Sequence, residues 1–137
     1  MLFIPARQKY KKQQKGKAFN KITNSKVNLT YGQIGLKVLS SYRLNSKQLS
    51  ALFNGLRKKI KRKGRLIINV FPQTPISKKP IEVRMGKGKG NVSYWVSKIK
   101  SGVVLCEIST PYIAFAKKVL SHARFKLPIK TKIIFSN

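Results

Sequence analysis

Only two carboxylates, Glu82 and Glu107, face 31 lysines and arginines in this chain of 137 residues, a formal net charge of +29. Ordinary soluble surfaces intersperse both signs of charge, and a surface that cannot do so repels itself whenever the chain is compact. Such a chain needs a polyanion, and nucleic acid is the natural one. Hydrophobic residues make up 42%, close to the globular norm, which separates the sequence from disordered basic tails. A single domain with a modest core is therefore expected, laid out as a basic arm over residues 1–26 and a nucleic-acid-binding domain over residues 27–137.

The scarcity of acids also removes most catalytic chemistry. General acid/base work would have to rest on Glu82, Glu107 and His122, which fall on separate elements with no signature linking them. In so basic a chain each carboxylate reads more simply as a partner for lysine or arginine, with Glu107 paired to a buried base. Cys106 stands alone in an apolar run and reads as a small buried hydrophobe. One cysteine and one histidine cannot supply a metal-ligand cluster. No cofactor is expected, and no enzyme. No apolar run approaches the roughly 18 residues that a membrane span needs.

Residues 1–26 carry Arg7, Lys9, Lys11, Lys12, Lys15, Lys17, Lys21 and Lys26 without helical or alternating apolar period, and are expected to order only on a partner. Phe3, Tyr10 and Phe19 in this arm either stack on bases or anchor it to the domain. Val27, Leu29 and Tyr31, followed by Leu36 and Val38, predict two short strands or one bent strand. Asn45 or Ser46 caps a helix whose inward stripe is Leu49, Leu52, Phe53, Leu56 and Ile60. Lys58, Lys61 and Arg62 lie on its opposite side, Gly64 is the expected stop, and Gly55 marks either close packing or drift. Residues 65–71 read as a strand covered on both faces, after which Pro72, Pro75 and Pro80 exclude regular structure. Residues 92–99 and 103–108, split by Lys100-Ser101-Gly102, form the strongest hairpin signal. Ser109-Thr110-Pro111 opens a second helix with Ile113, Ala116, Val119, Leu120 and Ala123 inward, and a last strand runs from Ile129. The sum is an α+β domain, two amphipathic helices packed on a mainly antiparallel sheet.

Between the prolines and the hairpin signal lies Arg84-Met85-Gly86-Lys87-Gly88-Lys89-Gly90-Asn91-Val92, followed by Tyr94-Trp95. Its glycines permit positive φ and close approach of the backbone, so Gly86, Gly88 and Gly90 with Arg84, Lys87 and Lys89 suit a finger that touches phosphate. Taken alone, the stretch fits a solvated turn equally well. Nucleotide-site readings fail on spacing. A P-loop requires Gly-Lys-Ser/Thr where Gly90-Asn91-Val92 stands, and a dinucleotide fingerprint opens a helix where a strand is expected here.

This run resembles the signature of the bacterial-type large-ribosomal-subunit protein sixteen family. The join Lys61-Arg62-Lys63-Gly64-Arg65, then Val70-Phe71-Pro72, Pro75-Ile76 and Lys79-Pro80, is similar to the family's other signature, as are Leu127-Pro128-Ile129-Lys130-Thr131 and the Met1-Leu2 start. Departures are Ile67, where many members have tryptophan, Ser109-Thr110, where an acidic-glycine turn is usual, and a loss of arginines from the first helix. The resemblance implies a structural, RNA-bound component of the large subunit, close to where the acceptor arm of the incoming transfer RNA enters the peptidyl-transferase region. Its partners would be large-subunit rRNA, the tRNA acceptor arm and neighbouring ribosomal proteins. Arg84, Lys87 and Lys89 become finger contacts, and Arg7, Lys9, Lys11, Lys12, Lys15 and Lys17 lie along rRNA. Lys58, Lys61, Arg62 and Arg65 are added from the helical wheel. The alternative is a free-standing, non-specific nucleic-acid binder or RNA chaperone.

Lysine outnumbers arginine 24 to 7, asparagine and isoleucine are frequent, and an Arg- and Ser-rich import sequence is not evident. These features point to a mitochondrially encoded subunit, with a plastid or an A+T-rich bacterium as alternatives.

Overall fold

The computed structural model describes residues 3–16, 23 and 28–136. In chain order the elements are β1 (Ile34–Val38), β2 (Tyr42–Asn45), α1 (Ser46–Ile60), β3 (Arg65–Ile68), β4 (Thr74–Lys78), β5 (Asn91–Ile99), β6 (Val104–Ser109), α2 (Ile113–Arg124) and β7 (Thr131–Phe135). The architecture is α+β, but the strands divide into two antiparallel sheets, ordered β3-β6-β1-β7 and β2-β5-β4, where one was expected.

Helix α1 starts where the sequence places it. The Asn45 side chain accepts from the Lys47 N–H at 3.3 Å, and the Gln48 side chain accepts from the Asn45 N–H at 3.0 Å, closing a reciprocal capping box. Leu49, Leu52, Phe53, Leu56 and Ile60 are all buried, as the 3.6-residue period requires. Its end differs from expectation. Lys61 takes the positive φ of 48° and donates its N–H to Arg57 O at 3.0 Å, while Gly64 serves packing. A Cβ there would sit 2.8 Å from Ser109 O and 2.9 Å from Thr110 Cβ. Gly55 does face a neighbour: a Cβ at that position would lie 2.4 Å from Lys126 Nζ.

Helix α2 buries Ala116, Val119, Leu120 and Ala123 against the core, whereas Ile113, expected in that stripe, is exposed on the first turn. Thr110 prepares its start from outside the helix. The Thr110 hydroxyl accepts the Tyr112 N–H at 3.2 Å and donates to Lys63 O at 2.6 Å, tying the two helix-bearing connections together. Both helices join one core that includes Ile34, Leu36, Val38, Leu44, Ile99, Leu105 and Ile108.

Three strand expectations are corrected. Strands β5 and β6 are not a hairpin, because they belong to different sheets. The intervening turn bonds to the end of β1 instead, with Gly102 N–H on Val38 O at 2.8 Å and Val38 N–H on Val103 O at 2.9 Å, so the chain passes from one sheet to the other. The real hairpin is β4 with β5. Pro75 lies within β4 opposite Trp95, tolerated because β4 is an edge strand and one side of it needs no N–H donor. Strand β3 ends at Ile68, so residues 69–71 fall outside it, and Phe71 is exposed.

Nor do residues 28–31 form a strand; Val27 lies outside the described residues. Their amides are used elsewhere. Thr30, Tyr31 and Gly32 donate their N–H groups to Glu107 Oε2 at 3.0, 2.8 and 2.8 Å, and Asn69 Nδ2 donates to Oε1 at 2.7 Å. The completely buried Glu107 is thus held by neutral donors rather than by the expected buried base. Burial pushes its carboxyl up, but the hydrogen bonds from Tyr31, Asn69, Gly32 and Thr30 together outweigh this and hold it below the ordinary carboxylate value. Its neighbour Cys106 is buried, and desolvation reinforced by the Glu107 charge raises its thiol to about 12, leaving it inert.

Candidate nucleic-acid interface

The finger is the connection of the β4–β5 hairpin, residues 79–90. Residues 81–89 are exposed without exception, so Arg84, Lys87 and Lys89 all reach solvent. The three glycines divide into two kinds. Gly86 and Gly88 have φ of 94° and 79° with open space where a Cβ would go, so they serve backbone conformation. Lys87 between them is itself left-handed at φ 51°. Gly90 instead serves the hairpin's base, since a Cβ there would lie 2.6 Å from Lys78 O. Lys79 Nζ donates to Gly86 O and helps fold the loop back.

The arm is also part of this site. Phe3 is buried, with its ring 5.3 Å from that of Phe53 and 6.1 Å from that of Phe71. Gln8 Nε2 donates to Gln73 O at 2.9 Å just before β4. Lys12 Nζ then donates to Lys89 O at 3.0 Å while Lys89 Nζ donates to Gln13 O at 2.6 Å, a reciprocal pair joining arm to finger. Residues 3–16 are therefore laid on the domain, contrary to the expectation that the arm orders only on a partner. Arg7, Lys9, Lys11, Lys12 and Lys15 remain exposed along it; Lys17, Phe19, Lys21 and Lys26 lie outside the described residues.

Lys58, Lys61, Arg62 and Arg65 form a separate exposed group where α1 turns into β3. Among the described residues, the hydrogen bonds of the finger run to the arm and not to this group. Arg43 was missed by sequence reasoning because β2 was missed. It donates to Gly16 O and stands in register with Lys98 on β5, so two further cations flank the arm. Also unanticipated are Ile81 and Met85 on the finger, 96% and 99% exposed among the lysines. Nothing in the alternation of that stretch separates an apolar side chain that packs from one that projects.

Chemically the surface offers cations, backbone donors and close approach. Among the described residues no group of histidine, cysteine or acid could hold a metal, and no helix is long and apolar enough to cross a membrane.

The family profile described as "Ribosomal protein L16p/L10e" matches residues 5–134, nearly the whole chain. The chain belongs to this family. Relatives in the L16p/L10e family include the "Large ribosomal subunit protein uL16" of Blochmanniella pennsylvanica (strain BPEN), 45% identical over 134 residues covering 98% of each chain. The proteins of the same description from Pelagibacter ubique (strain HTCC1062) and Rhodopseudomonas palustris (strain BisA53) are 45% and 40% identical, over 95% of this chain and 95% and 94% of theirs. These are bacterial relatives of a bacterial-type member. The L16p/L10e proteins are structural components rather than enzymes, and in this member the basic finger and arm occupy the matched region.

Proposed function

We propose that this chain is a structural constituent of the large ribosomal subunit that holds large-subunit rRNA through its finger, its arm and the basic end of α1. The observation that carries the reading is the finger: an exposed, left-handed Gly86-Lys87-Gly88 tip on the β4–β5 hairpin, in a chain with 31 cations and two acids. Backbone N–H groups and lysines presented this way suit phosphate oxygens, and phosphate contacts dominate affinity for RNA. Arg84, Lys87 and the glycine tip are directed at the tRNA acceptor arm near the peptidyl-transferase region, while Arg7, Lys9, Lys11 and Lys15 follow rRNA. Neighbouring ribosomal proteins complete the set of partners. The bias to lysine over arginine, 24 to 7, favours a mitochondrial ribosome over a plastid or bacterial one.

Replacing Lys58, Lys61 and Arg62 together by alanine tests the mechanism. The slope of log K against log salt for an rRNA fragment should fall in size by roughly 2 to 3, at about 0.7–0.9 per lost contact. An unchanged slope would remove those residues from the interface. Co-sedimentation with large subunits separates the ribosomal role from a free-standing binder, which would be recovered in ribosome-free fractions.

A further inference from the structure

We propose that the end of α2 carries a second RNA contact, a stacking platform for an unpaired nucleobase built on Phe125. This proposal rests on the RNA-binding reading above but concerns a surface outside the finger, the arm and the end of α1.

Phe125 follows the last residue of α2 and is 76% exposed. The Arg124 guanidinium lies 5.0 Å from its ring centroid, which gives a cation–π pair with most of the ring still open. Beside it runs an open groove of about 420 Å³ walled by Leu39, Phe125, Ile129 and Lys130, with Leu39 itself 53% exposed. A fixed scaffold holds these walls. Leu127 is buried in the core, its N–H bonds Arg124 O at 3.1 Å, and Leu39 N–H bonds Lys130 O at 3.0 Å, clamping the β1–β2 connection onto the chain entering β7. Little ordering is then needed when a ligand docks.

The chemistry of the groove selects its occupant. Arg124 and Lys130 line it, and neither carboxylate of the chain, Glu82 or Glu107, does. A flat ring attached to phosphate satisfies both features at once: the ring on Phe125, its phosphates on Arg124 and Lys130. Phosphate alone is a poorer occupant, because the carbonyl end of a helix disfavours an anion on its axis. An apolar side chain of a neighbouring protein would leave the cations unanswered.

The test uses the full-length protein with a labelled 12-nucleotide single-stranded RNA and the same sequence as a duplex. Phe125→Ala should weaken single-strand binding by about 5- to 150-fold, the range of one lost base stack. Its salt slope and its duplex affinity should stay as in the parent, since the ring carries no charge. Phe125→Trp should restore affinity, and the added indole's emission should be quenched by the single strand and not by the duplex. Unaltered single-strand binding by Phe125→Ala, or equal loss for both RNAs, overturns the platform. So does normal RNA binding combined with poor incorporation into large subunits, which would assign the groove to a protein neighbour. If the parent chain binds neither RNA, the wider RNA reading fails along with this one, an outcome distinct from a failure at Phe125 alone.

Discussion

Glu107 shows how one side chain can organise a segment that has no regular structure. Its carboxylate receives three consecutive backbone N–H groups and one amide, so residues 30–32 are folded around a charge rather than into a ladder. Changing Glu107→Gln removes the charge and sets an amide donor against donors that then lack partners. We expect a loss of about 2–4 kcal/mol, read from urea unfolding at neutral pH. The pH dependence has a defined sign. Because the folded carboxyl sits below its unfolded value of about 4.3, its contribution is complete above that value and is lost as pH falls through the folded one. The glutamine variant should lack this acid-dependent loss, and a variant as stable as the parent would deny Glu107 its role. Glu107 could be singled out from the sequence as an acid on an apolar strand. Its partners could not, since a backbone N–H leaves no letter behind, and only Asn69 among the four donors is a side chain.

At the scale of elements, what was legible was what is local. The five-residue stripe and the capping box of α1 sit within a few turns of chain, and the structure reproduces them. Strand pairing is set over long separations, and residues 92–108 show the consequence, since a good turn between two β-rich runs joins two sheets instead of closing a hairpin. Strand β4 was hidden for a related reason: Pro75 is forbidden in a sheet interior, and only the tertiary fold makes that position an edge. The finger inherits both facts, because its two supporting strands are β4 and β5. Its glycines should therefore respond differently to substitution. Gly90→Ala forces a Cβ into Lys78 backbone at 2.6 Å and should cost about 1–3 kcal/mol of folding stability. Gly88→Ala meets open space and only an unfavourable φ, at a cost of about 1 kcal/mol confined to the loop. Affinity for rRNA should fall more for Gly88→Ala than its stability does. Equal stability losses in the two variants would contradict this division between hairpin base and tip.

For the molecule as a whole, charge and core pull in opposite directions along the arm. Residues 3–16 bring several cations onto a domain already carrying a large excess, which favours detachment, and Phe3 opposes this by filling a space between Phe53 and Phe71. Composition alone implies the repulsion. It could not show that a single aromatic near the chain's start, in a stretch without periodicity, is 4% exposed within the core. Burial of that ring implies a measurable cost when it is removed. Phe3→Ala should destabilise the protein by about 3 kcal/mol, in the range for aromatic truncation in a core. Salt distinguishes this from an electrostatic effect. Raising the ionic strength screens self-repulsion and should stabilise parent and variant alike, while the difference between them persists because the lost contact is apolar. Denaturant titrations at low and high salt measure both quantities. A deficit below about 1 kcal/mol, or one that vanishes in salt, would mean that the arm is held by its hydrogen bonds to Gln73 and Lys89 rather than by its ring.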